Sequence, residues 1–487
     1  MNQKSIKWNV ILNIIRMSLS IIFPLITFPY AFRILGAKTL GMVNYSLTYV
    51  NYASLIAALG ITNYASREGA KIRDDKTKIN IFTKQIFSIN LLTMLMAYLV
   101  LFAIIMVIPS LHTYSKLILI QSVSILFSTL SVEWLNIIYE DYLYTTIRGL
   151  IINIITVVLL FVFVKSPDDY YIYAGLTVIS NAVISVANYF HCMKYVEIGI
   201  TKDINLKQHF YPIIVFFANT LAISIYVNSD STMLGWIVGD YNVGIYTAAV
   251  KVYSMFKTIL AAMYGVTISR MSYYLSSGEE EQYYNLCRKV ICGLTTLLIP
   301  GSVALIFFSK SIILILSGSK YIEATKALQI LCIGLAFAIF GGFITSCVNI
   351  PNGREKINMI SAFISAGVNI FLNVFLIPVF YQNGAAFTTV IAELIVFSLC
   401  LFKSWDLIKR IINKSLYKSF LDGLIGGVIV IISFYSTNSI IDSSIIHFIC
   451  NIFIVLIIYG IYLYKSGNEL ISLYFSSIIK FVKFRKR

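Results

Sequence analysis

Uninterrupted apolar runs of about 20 residues recur along the whole chain and restrict it to one environment. A helix of that length crosses the hydrocarbon core of a bilayer. The chain has 487 residues, of which 58% are hydrophobic and 12% are charged, so a water-soluble core would leave too much apolar surface exposed. The runs therefore predict an all-α, multi-pass membrane protein with about 14 transmembrane helices.

The predicted spans follow one another with short polar connections, none of which could hold a separate soluble domain. They are placed near residues 9–32, 42–62, 81–108, 117–137, 147–164, 172–192, 211–235, 245–268, 289–309, 325–349, 358–378, 385–402, 419–437 and 445–464. If the N-terminus lies inside, most of the 38 Lys and Arg residues fall in inside segments. This asymmetry predicts that both termini are cytoplasmic. The net charge of +16 then reflects topology and contact with anionic lipids, and we expect no nucleic-acid partner.

One short pattern occurs twice. Two glycines five residues apart are followed by a Ser-Arg pair, and each position of the second copy lies 203 residues after its counterpart: Gly36, Gly41, Ser66 and Arg67, then Gly239, Gly244, Ser269 and Arg270. A constant offset over such a distance predicts two copies of one unit, as in transporters that bind substrate at the interface of their repeats. We expect tight outer turns at both glycine pairs, where a side chain would obstruct the bend.

The repeat predicts three parts. Spans one to six form an N-lobe over residues 1–205, spans seven to twelve form a C-lobe over residues 206–405, and residues 406–487 hold two further spans and a basic tail. In the tail, apolar residues at helical spacing lie beside five basic ones, which predicts an amphipathic helix on the cytoplasmic leaflet. The apolar positions are Ile471, Tyr474, Phe475, Ile478 and Ile479.

Ionisable and aromatic side chains inside spans are the candidates for a transport site, because a charge in a bilayer is costly. In the eighth span Tyr253 and Lys257 share a helix face, while Lys251 lies on another. Phenol rings can pack against sugars and an ammonium attracts diphosphate. The candidate substrate-binding residues are Arg16, Ser20, Tyr49, Tyr52, Lys251, Tyr253, Lys257 and Arg270.

The assignment of Arg16 has an alternative, and two further tyrosines have two interpretations each. Arg16 lies near the start of the first span and could instead reach the cytoplasmic headgroups, although Ser20 and other polar residues continue its stripe deeper into the span. Tyr45 and Tyr246, which lie near the corresponding ends of the two repeats, are either site residues or anchors at the membrane surface.

With the repeat in view, the chain resembles the polysaccharide-transporter branch of the superfamily that also contains the multidrug and toxin extrusion exporters, and in particular the Wzx-type flippases. The likeness covers about residues 9–405 and rests on the order of these motifs: Phe28-Pro29-Tyr30, Arg33-Ile34-Leu35-Gly36-Ala37, Leu59-Gly60-Ile61, Ser66-Arg67-Glu68, Ser229-Asp230, Val243-Gly244-Ile245-Tyr246, Pro351-Asn352-Gly353-Arg354, Asn369, Asn373, Ile377-Pro378 and Gly384-Ala385-Ala386.

The resemblance implies two repeated six-helix lobes around a central cavity that opens alternately to each side, with a further C-terminal helix pair. It implies a polyprenyl-diphosphate-linked oligosaccharide as the cargo, for O-antigen, capsule or a similar envelope polysaccharide, in the cytoplasmic membrane of a bacterium. We expect a monomer without enzymatic activity, in contact with membrane lipids and with glycan polymerase machinery.

Oxygen-bearing residues of three spans are predicted to lie at one depth. They are Asp230 of span seven, Asn369 and Asn373 of span eleven, and Ala385 and Thr389 of span twelve. An all-oxygen set suits Na⁺, and the resemblance implies an ion site among these helices, although Asn373 stands where a second carboxylate is often found. A proton on Asp230 is an alternative, as is an Asp that only bonds neighbouring amides. We expect no other cofactor.

Three other functions compete with this hypothesis. A lipid II flippase would obey the same physics. A cation-coupled drug exporter should carry carboxylates in its first lobe, where the spans offer only Glu133. A membrane glycan polymerase would need a large outer loop with catalytic residues, whereas the longest outer connection, near residues 309–325, is small and apolar.

Overall fold

The computed structural model describes residues 6–203, 205–265, 267–438 and 444–468. All regular structure in these ranges is helical. The helices form two compact units, Met1–Thr247 and Ala248–Arg487. The tail for which an amphipathic helix is predicted lies outside the described ranges.

The first unit contains the helices that correspond to predicted spans one to seven and the beginning of the eighth. They are α1 (Ile6–Ala58), α2 (Ile61–Ile72), α3 (Lys76–Val107), α4 (Ser115–Leu130), α5 (Trp134–Ile138), α6 (Tyr142–Phe163), α7 (Tyr170–Cys192), α8 (Leu206–Ile237) and α9 (Asp240–Gly265), which continues into the second unit. Capping side chains mark several starts. The Asp75 carboxylate accepts the Lys78 amide at 3.0 Å before α3, which satisfies a backbone donor that the helix leaves free.

The second unit contains the remaining helices. They are α10 (Ile268–Ser276), α11 (Glu280–Phe307), α12 (Ser309–Leu316), α13 (Ala324–Phe343), α14 (Glu355–Lys403), α15 (Trp405–Ile408), α16 (Lys414–Asn438) and α17 (Ser444–Lys465), with a π-helical segment at Ile344–Asn349. Gly423 and Gly426 of α16 lie against Ile299 and Pro300 of α11. These small residues allow the C-terminal helix pair to pack closely on the unit.

Two pairs of predicted spans are joined without a loop. Spans one and two form the 53-residue α1, which is broken at Gly36 with φ 75° and ψ 170°. Spans eleven and twelve form the 49-residue α14, which is broken at Tyr381 with φ 53° and ψ −132°. Glycine adopts a positive φ without a Cβ penalty, whereas at Tyr381 the surrounding structure must hold the strained backbone.

The two glycine pairs of the repeat make one reciprocal contact inside the first unit. A Cβ on Gly41 would lie 1.8 Å from the carbonyl oxygen of Asp240, and a Cβ on Gly244 would lie 1.9 Å from that of Ala37. Ala37 and Asp240 are themselves 203 residues apart. Each glycine therefore faces the carbonyl at the equivalent position of the other copy. Gly36 and Gly239 provide the expected positive φ, but Gly41 and Gly244 keep the space open for a helix contact rather than for a bend.

The helices confirm the all-α membrane fold. In the part of the chain that the structure describes, nine helices are long and apolar enough to cross a membrane. Large apolar side chains cover their outer faces, for example Met106 at 78% and Phe402 at 77% exposed, as lipid contact requires. The lobe boundaries at residues 205/206 and 405/406 stay predictions. The first compact unit extends to Thr247 because α8 and the start of α9 contact α1.

Candidate substrate and ion sites

The tyrosines of the second predicted span line the contact between α1 and α8. Tyr45 and Tyr49 share a hydrogen bond between their hydroxyls at 2.8 Å, and both are buried. The Tyr52 hydroxyl lies 3.2 Å from the Thr232 hydroxyl of α8. The ring of Tyr45 leaves no room for a Cβ on Gly235 of α8. Tyr45 is therefore an interior packing residue and not a membrane-surface anchor.

Asp230 of α8 is buried, with 3% of the residue exposed. The Tyr246 hydroxyl of α9 donates to its carboxylate at 2.7 Å. Because an ionised carboxylate in a low-dielectric interior needs donors, Tyr246 helps to keep Asp230 in place. This contact also decides the alternative left open for Tyr246, which is buried and bonded rather than placed at a membrane surface.

The second unit holds a partly buried ion pair between α9 and α14. Lys257 donates to Glu393 at 2.6 Å, and its ammonium lies 5.7 Å from the ring centre of Tyr253. The Glu393 side chain is 9% exposed and that of Lys257 is 34% exposed. Lys257 and Tyr253 thus share a face as the spacing predicts, and Glu393 supplies the opposite charge that the sequence analysis lacked.

The amides predicted to bind an ion form a hydrogen-bonded cluster inside α14. The Asn373 amide donates to the Asn369 side-chain oxygen at 3.2 Å. Thr388 donates to the Asn373 oxygen at 2.6 Å and lies 2.8 Å from the Ala385 carbonyl. Thr389 donates to the same carbonyl at 2.9 Å. The break at Tyr381 folds α14 back on itself, so residues on both sides of it meet.

The remaining predicted substrate-binding residues lie on α9, α10 and the beginning of α1. Lys251 is half-buried on α9, and Arg270 is exposed on α10, where it donates to the Tyr274 hydroxyl at 2.9 Å. Its repeat counterpart Arg67 donates to Glu68 at 2.9 Å, and a hydrogen bond from Lys71 lowers the pKa of that carboxyl. Arg16 and Ser20 lie on α1 in a stretch whose side chains are outside the described part.

The predicted ligand set divides between the two units. Asp230 bonds Tyr246 in the first unit, whereas in the second Asn373 bonds Asn369, and Thr388 lies between Asn373 and the Ala385 carbonyl. Among the residues that the structure describes, no group of three or more His, Cys, Asp or Glu side chains could hold a metal ion. An oxygen site built from amides, hydroxyls and carbonyls is a different kind of site, and it stays a prediction.

Two models of known protein families match this chain. A family model described as polysaccharide biosynthesis protein matches residues 6–274, more than half of the chain. The chain belongs to this polysaccharide biosynthesis protein family. A second model, described as MatE, matches residues 212–375. The resemblance found in the sequence is thereby confirmed.

Two relatives of this chain show what the family includes. A protein of Escherichia coli described as "Putative O-antigen transporter" is 24% identical over 406 residues, which cover 82% of this chain and 97% of the relative. An uncharacterized membrane protein of Methanocaldococcus jannaschii is 30% identical over 177 residues, 36% of this chain and 33% of that protein.

Solved structures show the same fold. The lipid II flippase MurJ in an inward closed conformation superposes with a TM-score of 0.77 and 18% identity, covering 95% of this chain and all of that one. An inward-facing multidrug transporter of the MATE family superposes with a TM-score of 0.59 and 16% identity, over 83% of this chain and 99% of that one.

Three residues of this family member escaped the sequence analysis. Glu393 follows Ala385 and Thr389 at intervals of four, so helical spacing alone could have placed it on the face of the polar cluster. Thr388, the residue before the predicted Thr389, bonds Asn373. Arg148, which lies within predicted span five, is buried, bonds Asn188 and lies 3.6 Å from Glu133. Arg148 thus links α6 to α7 and to the residue that precedes α5.

Proposed function

We propose that this protein is a flippase that moves a polyprenyl-diphosphate-linked oligosaccharide from the cytoplasmic to the outer leaflet by alternating access. The observation that carries the proposal is the match along 97% of the relative described as "Putative O-antigen transporter". The fold shared with a lipid II flippase supports it. The glycan would serve O-antigen, capsule or a similar envelope polysaccharide, and the protein would act as a monomer in the bacterial cytoplasmic membrane beside glycan polymerase machinery.

Lys257 and Tyr253 are the residues we assign to the lipid-linked headgroup. An ammonium is a strong partner for phosphate oxygens, and a tyrosine offers both a ring face and a hydroxyl to sugars. Lys257 is a third exposed although it lies in a span, which fits a cation that a ligand reaches from one side. Arg16, Ser20, Tyr49, Tyr52, Lys251 and Arg270 complete the proposed surface.

Reconstitution tests the proposal directly. Purified protein is placed in liposomes with a fluorescent polyprenyl-diphosphate oligosaccharide in both leaflets, and a membrane-impermeant quencher reports how much becomes accessible. We expect the accessible fraction to rise from about half toward completion with the native protein, and protein-free liposomes to stay near half. Equal accessibility with and without the protein would exclude flippase activity.

Lipid II is the second candidate cargo, favoured by the TM-score of 0.77 with MurJ. The same liposomes distinguish the two, because lipid II carries an amino-sugar and peptide headgroup in place of the repeat unit. Preferential movement of lipid II would replace the first candidate. A cationic dye serves as the third substrate, since uptake of the dye alone would identify a drug exporter.

We further propose that Na⁺ couples to transport through Asp230, Asn369, Asn373, Thr389 and the carbonyl of Ala385. The donor set supports this because all its atoms are oxygens, which hard cations prefer. Thr388 joins the set through its 2.6 Å bond to Asn373. Bound Na⁺ would supply a positive charge that neutralises Asp230 and orders the amides.

Sodium binding can be measured without transport. Native protein in detergent should melt at a higher temperature in NaCl than in choline chloride, since a ligand that binds the folded state stabilises it. Asp230→Asn should remove this difference, whereas Glu133→Gln should keep it. A melting temperature that depends on pH but not on Na⁺, and loses that dependence in Asp230→Asn, would assign a proton instead. No ion or pH effect of Asp230→Asn would reject both.

A further inference from the structure

The Lys257–Glu393 pair places an internal anion on the cation that the proposed function assigns to the substrate. The ammonium and the carboxylate are 2.6 Å apart, close enough for a charge-assisted hydrogen bond. The carboxylate is enclosed and the ammonium is partly open, with side chains 9% and 34% exposed. Any anion that binds Lys257 therefore meets Glu393 already in place.

The open side of Lys257 requires a polar partner. A charged side chain inside a span faces the bundle interior or an aqueous cavity, because hydrocarbon does not solvate it. One turn earlier on α9, Tyr253 is 5% exposed and its hydroxyl lies beside the Glu393 carboxylate, near the Lys257 ammonium. The ammonium with its free protons and this hydroxyl form a set of donors suited to a phosphate oxygen.

The Glu393 carboxylate and a diphosphate would compete for the position next to the Lys257 ammonium. Two like charges that share one low-dielectric site do not both remain ionised unless they move apart. Within the described part of the chain, the titratable groups around Glu393 are Lys257, Tyr253 and Tyr264 of α9, with Cys332 of α13 next to Tyr253. Tyrosine and cysteine ordinarily stay protonated at neutral pH, which leaves Glu393 as the group that changes charge.

We propose, on the basis of the proposed function, that Glu393 is an internal counter-ion that the diphosphate headgroup replaces on Lys257. As it is replaced, Glu393 takes up one proton from water. Lys257 remains an ammonium throughout, a phosphate oxygen takes the place of the carboxylate oxygen, and the new carboxylic acid can donate a hydrogen bond. Glu393 is thus a positioning residue that holds the Lys257 ammonium in place between cargoes and links cargo binding to a proton.

Calorimetry with purified protein in detergent tests the linkage. The probe is a polyprenyl diphosphate without sugars, and inorganic diphosphate is titrated in a second arm to separate recognition of the lipid from recognition of the phosphates. Repeating the titration in buffers of different ionisation enthalpy gives the number of protons taken up. For the native protein we expect about one proton per probe and an affinity that rises up to about tenfold per unit of falling pH.

Glu393→Gln should bind the probe about tenfold more tightly at pH 7.5, because the competing charge-assisted hydrogen bond is gone. Its proton uptake should fall by about one, while titration of the diphosphate itself remains in both proteins. Glu393→Asp should keep the uptake. Glu133→Gln, which removes a carboxylate beside Arg148, is the matched control and should behave like the native protein.

The outcomes separate the two proposals. If the native protein does not bind the probe, or binds it equally well as Lys257→Gln, the assignment of the headgroup to Lys257 fails. If binding depends on Lys257 but Glu393→Gln leaves affinity and proton uptake unchanged, only the counter-ion role is wrong. Elution of each variant at the native position in size-exclusion chromatography shows that it is folded.

Discussion

At the scale of single residues, the ion pair means that a substitution at Lys257 affects protein stability as well as cargo binding. The ammonium was predicted to bind substrate, but it also neutralises Glu393, which is enclosed in the second unit. Removing one member of a buried pair leaves the other uncompensated and costs more than the pair itself contributes. A loss of function in a single variant therefore mixes binding with stability.

Lys257→Ala should lower both surface glycan and protein abundance. The expected loss of stability is about 2 kcal/mol, at the lower end for a broken buried pair because Lys257 is partly exposed. Lys257→Ala combined with Glu393→Gln should restore abundance without restoring glycan, since the headgroup cation is still missing. Immunoblots and glycan staining of the same cells measure the two effects. Normal glycan in the double variant would show that Lys257 does not bind cargo.

At the scale of elements, the glycine pairs set how closely two helices approach. Gly41 and Gly244 each face a backbone carbonyl of the opposite helix, at the repeat-related positions Asp240 and Ala37. Two further repeat-related side chains hold the local helix, since Asn44 donates to Leu40 at 2.7 Å and Thr247 donates to Val243 at 2.7 Å. The duplicated sequence thus builds a locally symmetric contact.

Gly41→Ala and Gly244→Ala should each destabilise this contact, because a methyl group would lie within 2 Å of a backbone oxygen. We expect a loss of about 3 kcal/mol, the upper part of the range for overpacking. Gly149→Ala on α6 is the matched control, since its methyl group would meet nothing within 4 Å and alanine favours a helix. Equal melting temperatures for all three variants and the native protein would contradict the contact.

At the scale of the whole molecule, the predicted topology assigns each loop to one side of the membrane. It puts the connections after spans two and eight inside and those after spans three and nine outside. Six of the seven cysteines are buried, so an impermeant thiol reagent should label the native protein weakly. Exposed Ser and Thr residues in these connections are suitable sites for single cysteines.

Cysteines at Thr113 and Ser319 should react with an impermeant reagent in intact cells. Cysteines at Thr77 and Ser277 should react only after the membrane is opened. All four positions are exposed in the structure, so accessibility depends on the side of the membrane alone. The reverse pattern would place both termini outside, and a mixed pattern would contradict the number of spans.

The sequence by itself determined the class of this protein. Apolar runs long enough to cross a bilayer leave no soluble alternative, and the order of motifs identified the family that the model match confirms. It also placed Tyr253 and Lys257 on one face, since a helix fixes the direction of residues four apart. The spans and the shared helix face follow from local periodicity and the family follows from the order of motifs, and the sequence contains both in full.

The tertiary structure decided which side chains meet. Glu393 lies 136 residues after Lys257, and Thr388 reaches Asn373 only because α14 breaks at Tyr381. The role of Gly41 likewise depends on a carbonyl of α9, nearly 200 residues away along the chain. Periodicity gives the direction of a side chain around its own helix, but its partner depends on how separate helices pack, and this information lies in contacts between distant parts of the chain.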